Sequence, residues 1–314
     1  MTRWVSGVAS LILGLSSFVP PCGAATARAG QPVMGTVLTV TVVAADEPTA
    51  RMLADAAIDE ARRWDDLLTT WRPEGELARL NAAAGGPPMT VSLALAGALR
   101  AMQALSHATG GAFDPGVGPL VARWRGADPP QPPPAAGDAT RIATALTLAG
   151  DRAQLRDGAA LDAGGIGKGI ALDAIAAQLR ARGARAAFLD FGGSSQLAIG
   201  APEDGAGGWR VAIGGAAAGS VRGTIVLRDA ALSTSRASGG PSPAGPILDP
   251  RSGAPVAAPR LATARAADAT TAEAWSKALI VDGRATLPAA AKAGVTGLID
   301  DPRGLAQTAP PLLP

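Results

Sequence analysis

The sequence predicts an α+β fold, in which mixed sheets and packed helices form a single compact unit. Segments with strand alternation and segments with helical periodicity follow one another without the regular βαβα order of a doubly wound sheet. The chain has 314 residues, 47% of them hydrophobic, and a mean hydropathy of +0.20, which is enough for a sizeable core. No internal repeat divides it.

The N-terminal elements follow from periodicity. Residues 37–43 alternate apolar and polar side chains and are rich in β-branched residues, which predicts a strand. Residues 48–68 have apolar positions at helical spacing, and residues 77–84 fit a short helix. A further amphipathic helix is predicted over residues 93–109, stopped by the glycine pair at 110–111.

The middle of the chain is rich in glycine and proline. Residues 112–120 predict a rigid loop of fixed turns, and residues 126–137 an exposed proline-rich loop or linker. Residues 170–179 predict a helix that opens from a glycine-rich loop. Residues 186–191 predict a buried strand that ends at two glycines.

The C-terminal part adds strands at residues 209–213 and 223–227. The hydroxyl-rich residues 231–235 predict a strand end or a turn, and residues 247–253 a turn. Helical spacing recurs over residues 270–281. The final proline-rich tail is expected to fray.

Charge and composition exclude one broad class of function. The net charge is +2, the signs are interspersed, and aromatic residues make up 3% of the chain. No basic cluster interleaved with aromatics is present, so nucleic-acid binding is not expected.

The N-terminus resembles an export signal. Arg3 precedes an apolar stretch at residues 5–19, and small residues follow, so residues 1–29 are interpreted as a signal peptide and 30–314 as the mature domain. The candidate cleavage sites follow Ala24, Ala27 and Ala29. This predicts an exported, periplasmic protein. Lipidation of Cys22 would instead attach it to the membrane, but two prolines precede that cysteine where a lipobox has small residues.

The densest motif is the run at residues 161–173, which has four glycines within six residues and a lysine among them. A glycine-rich loop at a helix N-terminus lets backbone N–H groups approach a phosphate, and Lys168 would add a full charge. The alternative is a tight turn without a ligand, because the spacing fits neither the dinucleotide fingerprint nor the P-loop.

Seven motifs follow one another in a specific order along the chain. They are Met34-Gly35-Thr36, Glu76 with Leu80-Asn81, the run 109–121 around Phe113-Asp114-Pro115, the run 161–173, Asp190-Phe191-Gly192-Gly193, Leu232-Ser233-Thr234-Ser235 and the run 247–256. Their order resembles the ApbE family of FAD:protein FMN transferases over about residues 32–300, which implies an ApbE-type, T-fold-like architecture.

The resemblance implies an activity and its partners. Members of the family bind FAD and a divalent cation, usually magnesium. They transfer the FMN half to a threonine or serine of an acceptor protein and release AMP. The acceptors are typically subunits of redox complexes at the outer face of the bacterial membrane, which agrees with the export signal.

The resemblance also implies a set of site residues. Those at flavin-pocket positions are Met34, Glu76, Asp114, Asp162, Asp190 and Ser233, and those suited to the phosphates are Gly164, Gly165, Gly167 and Lys168. The alternatives are a core residue for Met34, a solvated charge for Glu76, and a cap or turn residue for Asp162 and Asp190. The predicted metal ligands are Glu273 and the carbonyl of Gly167.

This sequence departs from the family pattern where the chemistry is expected. Glu273 stands at the position of a ligating aspartate, and Lys277 at that of a ligating threonine four residues later. Pro246 stands where the family has a histidine, and the chain's single histidine, His107, lies in an unrelated helix.

Several hypotheses follow for Glu273 and Lys277, which are the candidate catalytic residues. In an active transferase, Glu273 holds a metal, or the Lys277 ammonium supplies part of the metal's charge. The alternatives are an FAD-binding relative without transfer activity, an FAD pyrophosphatase, or a mere ion pair on the helix surface.

Overall fold

The computed structural model describes residues 23–124, 141–202, 207–217, 219–237, 247–257 and 259–313. The apolar N-terminal stretch, the proline-rich segment and Pro246 lie outside these ranges. In the described parts, no helix is long and apolar enough to cross a membrane.

An antiparallel eight-stranded sheet is the centre of the described fold. Its strands, in spatial order, are β1 (Ala25–Val33), β2 (Thr36–Ala44), β6 (Ala186–Phe191), β7 (Ser195–Ile199), β10 (Ala230–Ala237), β11 (Arg260–Ala266), β12 (Thr296–Asp301) and β13 (Gly304–Gln307). Two smaller sheets contain β3 (Met89–Thr90), β5 (Arg152–Leu155) and β4 (Leu146–Ala149), and β8 (Trp209–Gly214) with β9 (Val221–Leu227). The predicted α+β class is confirmed.

The helices lie mainly on one face of this sheet. They are α1 (Glu47–Leu68), α2 (Glu76–Ala82), α3 (Leu93–Ala108), α4 (Gly118–Trp124), α5 (Ile142–Ala145), α6 (Gly167–Ala181), α7 (Ala269–Asp282) and α8 (Leu287–Lys292). α1 packs on β1 and β2, α7 packs on β10 and β11, and α6 lies against both helices. The four long helices begin and end close to the predicted positions.

Helix α1 shows how the sequence specifies this packing. Asp46 caps its N-terminus by accepting a hydrogen bond of 2.8 Å from the backbone N–H of Thr49. Its apolar positions recur at helical spacing, and the stripe from Ala50 to Leu68 is buried in the main core. The polar face carries exposed ion pairs such as Arg51 with Glu47.

Strand β1 was not predicted. It pairs with β2 over its full length, from Ala25 opposite Ala44 to Val33 opposite Thr36. Its small and polar residues carry little strand propensity, and its pairing comes from β2 and from α1, which covers it. The proposed domain boundary at residue 30 therefore falls inside this strand.

The sheet is covered on both faces. Two predictions, for residues 231–235 and for the C-terminal tail, are therefore wrong. The β8–β9 hairpin packs on the face opposite the helices, and residues 231–235 form the interior of β10 rather than a strand end or turn. Both faces of β10 are buried, so its hydrophobic alternation is lost. The C-terminal tail is not frayed, because Leu312 and Leu313 are buried against this hairpin and their N–H groups donate to Gln307.

Candidate active site

The glycine-rich stretch forms a loop and the first turn of α6, as the sequence predicted. Asp162 Oδ1 accepts a hydrogen bond of 2.8 Å from the Gly164 N–H, and the Asp162 N–H donates to the carbonyl of Pro115 at 2.8 Å. Ile166, the N-cap residue of α6, provides no side-chain cap. The loop is therefore held from within and from the segment after Phe113.

The first turn of α6 lies directly against the N-terminus of α7. A Cβ atom on Gly169 would lie 2.5 Å from the carbonyl oxygen of Ala269, so only glycine allows this approach. Asp173 on α6 accepts hydrogen bonds of 2.8 Å from the N–H groups of Ala269 and Thr270. In return, Glu273 Oε2 on α7 accepts from the Gly169 N–H at 3.1 Å. Each helix thus carries a carboxylate that binds the N-terminus of the other.

Burial and hydrogen bonding both perturb Asp173. Burial raises the pKa of this carboxyl above its ordinary value, while its bonds to the α7 N-terminus lower it in part. Its position on α6 and its contacts make it a structural clamp between the two helices. It lies in the run singled out from the sequence, but no role was assigned to it there.

Glu273 is fully buried, with 0% of its side chain exposed. Besides the Gly169 N–H, it accepts a hydrogen bond of 2.5 Å from the Ser195 hydroxyl to Oε1. The Nζ atoms of Lys168 and Lys277 each lie 3.9 Å from the same Oε1 atom. Both oxygens of this carboxylate are therefore engaged, and two positive charges face it.

The two lysines border the glycine-rich loop. Lys168 belongs to α6, and its Nζ donates to the Ser194 hydroxyl at 3.1 Å. The Cγ and Cε atoms of Lys277 pass 3.9 Å from the position that a Cβ on Gly165 would take. Lys277 Nζ has no hydrogen-bond acceptor among the described residues, and its side chain is 19% exposed.

The electrostatic state of Lys277 reflects these neighbours. Burial lowers the pKa of Lys277 below its ordinary value, the Glu273 carboxylate opposes that shift, and the Lys168 ammonium adds to it. The cluster therefore combines one carboxylate with two cations in a partly enclosed place.

The β6–β7 turn reaches this cluster. Asp190 Oδ1 accepts a hydrogen bond of 2.7 Å from the Gly193 N–H, and both Gly192 and Gly193 have positive φ, at 59° and 72°. The turn places Ser194 against Lys168 and Ser195 against Glu273. Asp190 therefore shapes the turn, while the two serines make the contacts.

Met34 closes one side of the loop. It has a φ of 51° in the β1–β2 turn, and its Cε atom lies 3.3 Å from the position of a Cβ on Gly167. Leu68 at the end of α1 is at 3.4 Å from the same position. Met34 is thus an apolar neighbour of the loop.

Ser233 is buried beneath α7. Its side chain is 1% exposed beneath α7, and its Oγ lies 3.0 Å from Ser276 Oγ. Ser235 Oγ lies 2.8 Å from the same hydroxyl, which donates to the carbonyl of Glu273 at 2.9 Å. These serines form a buried polar layer between β10 and α7.

Glu76 and Asp114 are engaged in structural hydrogen bonds. The two Glu76 oxygens accept from the N–H and the hydroxyl of Ser92, at 2.5 and 2.6 Å, where α3 begins. Asp114 is 3% exposed and accepts from the Ser106 hydroxyl at 2.7 Å and from the Ile142 N–H at 2.9 Å. In the Phe113-Asp114-Pro115 run, Phe113 approaches the loop instead, with its Cε2 atom 3.4 Å from a Cβ position on Gly165.

The structure brings together Gly164, Gly165, Gly167, Lys168, Met34, Glu273 and Lys277. Sequence reasoning missed Phe113 and Ser195 as neighbours of this group. Phe113 lies in the Phe113-Asp114-Pro115 motif, and the Gly-Gly-Ser-Ser order after β6 was a usable signal for Ser195. The contact between Ser195 and Glu273 could not be predicted from the sequence, because the two residues are 78 positions apart.

The donor set does not fit magnesium. Magnesium requires several oxygen donors in near-octahedral geometry. The described residues contain no group of three or more histidine, cysteine, aspartate or glutamate side chains that could hold a metal ion. Glu273 is the one acidic side chain in the cluster as described, and its oxygens are taken by Ser195 and Gly169. Two ammonium groups already face its single negative charge.

The comparison with known proteins agrees with the order of motifs. A FAD:protein FMN transferase from Rhodobacter capsulatus is 35% identical over 207 residues, which cover 62% of this chain and 39% of that protein. The chain thus spans about two fifths of the length of that relative.

Two solved structures have the same fold. The ApbE protein of Thermotoga maritima matches with a TM-score of 0.79 at 23% identity, covering 90% of this chain and 97% of that one. The flavinyl transferase ApbE of Pseudomonas stutzeri, in its apo form, matches with a TM-score of 0.78 at 25% identity, covering 91% and 95%. The predicted ApbE-type architecture is confirmed. The family model described as the ApbE family matches residues 34–299, most of the chain, and the protein therefore belongs to the ApbE family.

Proposed function

We propose that this protein transfers the FMN half of FAD to a hydroxyl group of an acceptor protein and releases AMP. The observation that carries the proposal is the glycine-rich loop at residues 164–169 with the ammonium groups of Lys168 and Lys277 beside it. Such a site suits the diphosphate of a dinucleotide. The name of the Rhodobacter relative and the family membership support the choice of FAD.

The reaction exchanges one phosphorus–oxygen bond for another. The acceptor hydroxyl oxygen attacks the phosphorus atom on the FMN side of the diphosphate and forms a new phosphoester bond. The bond from that phosphorus to the bridging oxygen breaks, and AMP leaves with the bridging oxygen. The hydroxyl proton is released to solvent.

The residues of the site have distinct parts in this proposal. The backbone of Gly164 and Gly165 borders the diphosphate, and Met34 with Phe113 provides apolar contact beside the loop. The charged pair of lysines stabilises negative charge that builds on the departing phosphate. Glu273 orients the lysines through its contacts of 3.9 Å with each Nζ.

The proposal includes where the protein acts and which kind of acceptor it meets there. The export signal interpreted from residues 1–29 supports a periplasmic protein, with membrane attachment if Cys22 is lipidated. An acceptor at the outer face of the bacterial membrane, as a subunit of a redox complex, fits that location. Fractionation of cells and mass spectrometry of the mature N-terminus test it; a cytoplasmic protein that keeps Met1 would refute it.

Magnesium dependence is implied by the family resemblance alone. The Glu273 cluster does not supply the oxygen donors for the ion, so the proposed transfer relies on the protein's own residues. The carbonyl of Gly167, the other predicted ligand, belongs to the first residue of α6.

The direct test mixes the purified exported protein with FAD and a purified acceptor domain. We expect flavin fluorescence that stays with the acceptor after denaturation, and AMP in equal amount. FAD binding without covalent flavin would refute transfer and leave an FAD-binding relative. Release of free FMN and AMP without acceptor would identify a pyrophosphatase. No FAD binding under any condition would refute the whole proposal.

A further inference from the structure

Lysine is scarce in this chain, and its distribution is informative. Of the 28 basic residues, only Lys168, Lys277 and Lys292 are lysines. Two of them converge on the buried Glu273 carboxylate, although 109 residues of sequence separate them. The third, Lys292, is exposed at the end of α8. Because lysine is rare in this chain, the presence of two lysines at one carboxylate is a feature of the site and does not reflect a high lysine content.

The cluster has charge and hydrogen-bond donors to spare. Glu273 carries one negative charge against two ammonium groups, so the group has a net charge of about +1 when both lysines are protonated. The carboxylate receives its hydrogen bonds from Ser195 and Gly169, not from the lysines, whose Nζ atoms stay at 3.9 Å. Within the described ranges only Ser194 accepts a hydrogen bond from either ammonium group, so most of these N–H donors can bind an anion.

These donors face the place where the loop would hold a diphosphate. Lys168 is part of the run 164–169 itself, and Lys277 passes alongside Gly165. A divalent cation at the same place would meet two ammonium groups and a carboxylate with both oxygens engaged. The positive charge that the family takes from a metal is already present as side chains.

We propose that the ammonium groups of Lys168 and Lys277, oriented by Glu273, bind the diphosphate of FAD in place of a divalent cation, so that this protein binds FAD and transfers FMN without a metal. This inference rests on the proposed function. The bonds formed and broken are those of the transfer above, and no additional reactant is needed. The lysine pair replaces the metal only as a source of positive charge at the diphosphate.

The first experiment measures FAD binding to the wild-type protein by fluorescence quenching, in EDTA and in excess Mg²⁺. We expect dissociation constants that agree within twofold, and covalent flavin transfer at equal rates in the two buffers. A loss of tenfold or more in affinity or transfer rate in EDTA would overturn the inference while leaving the proposed function intact. Failure to bind FAD in either buffer refutes the proposed function instead.

The second experiment uses variants of the three lysines, all measured in EDTA. Lys277→Gln and Lys168→Gln should each weaken FAD binding at least tenfold, and Lys277→Arg, which keeps the charge, should stay within about threefold of wild type. Lys292→Gln is the matched control and should bind as wild type. Circular dichroism and a melting curve establish that each variant is folded. Equal FAD affinity in folded Lys277→Gln and wild type would overturn the inference.

Inorganic pyrophosphate provides a probe of the same place without the flavin. It should displace FAD from the wild-type protein in EDTA, and the concentration for half displacement should rise at least tenfold in Lys277→Gln. Displacement that requires Mg²⁺, or that is the same in Lys277→Gln, would show that the lysine pair does not bind the diphosphate.

Discussion

The closest backbone approach in the candidate site makes a sharp prediction for Gly169→Ala. A Cβ atom at this position would lie 2.5 Å from the Ala269 carbonyl oxygen, 2.7 Å from its carbon and 2.9 Å from Thr270 Cα. All three are backbone atoms, so no side-chain rotation relieves the overlap. The N-terminus of α7 must move away from α6, by about 1 Å, to reach ordinary van der Waals contact.

The magnitude follows from three contributions. Overpacking of this kind costs about 1–3 kcal/mol. The displacement also weakens the hydrogen bond of 3.1 Å from the Gly169 N–H to Glu273, and bonds to charged groups contribute about 1.5–3 kcal/mol. Alanine in place of glycine within a helix returns about 0.5–1 kcal/mol. We expect a net destabilisation of about 2–4 kcal/mol, with the melting temperature lower by about 3–7 °C for a chain of this length.

Gly97→Ala is the matched control for this substitution. Gly97 lies within α3, and a Cβ atom there would meet nothing within 4 Å, so alanine should stabilise the protein by about 0.5–1 kcal/mol. Denaturant unfolding and FAD binding are measured on both variants. A Gly169→Ala protein as stable as wild type, with unchanged FAD affinity, would refute the close packing of α6 on α7 as the reason for this glycine.

Glu273→Ala leaves two ammonium groups facing each other without their carboxylate, and urea unfolding should show a loss of about 3–5 kcal/mol. Asp301 is held by two arginines, and their hydrogen bonds lower the pKa of this carboxyl well below its ordinary value of 3.8. The unfolded state therefore binds more protons, so stability should fall as pH drops below about 4, and Asp301→Asn should flatten that dependence. A chain that begins at Gly30 should be less stable than one that begins at Ala25, by about 2–4 kcal/mol in thermal unfolding, because half of β1 is lost.

Each of these has a control and a contrary outcome. Glu47→Ala removes an exposed ion-paired carboxylate and should cost less than about 1 kcal/mol; an equally small cost for Glu273→Ala would contradict the buried cluster. Asp55→Asn, at an exposed position of α1, should leave the acid dependence unchanged. An Asp301→Asn variant with the wild-type acid profile would contradict the role of the Asp301 ion pairs in that dependence. Equal melting temperatures of the two shortened chains would contradict the contribution of β1 to stability.

Local sequence was sufficient where the physical cause is local. The predicted spans of α1, α3 and α7 agree with the structure within one residue at each end, because their apolar stripes and capping residues lie in the same segment. The glycine-rich loop and the helix it opens are also local, so they were visible before any tertiary contact. The helix begins at Gly167, three residues before the predicted start.

Elements whose stability comes from distant partners were missed or misread. β1 has small and polar residues, and its pairing with β2 and cover by α1 make it a strand. Residues 231–235 have no alternation because both faces of β10 are buried. Ser233 contacts Ser276 beneath α7. The two residues are 43 positions apart, so the periodicity of either segment does not predict the contact.

The sequence by itself determined the α+β class, the main helices, the glycine-rich loop that opens α6 and the order of motifs typical of the ApbE family. It also fixed that Lys277 lies one helical turn after Glu273. Only the tertiary structure decided what surrounds that carboxylate, because Lys168, Ser195 and Gly169 come from other elements and reach Glu273 through the packing of α6 and β7 on α7. The chemical character of the site depends on these long-range contacts.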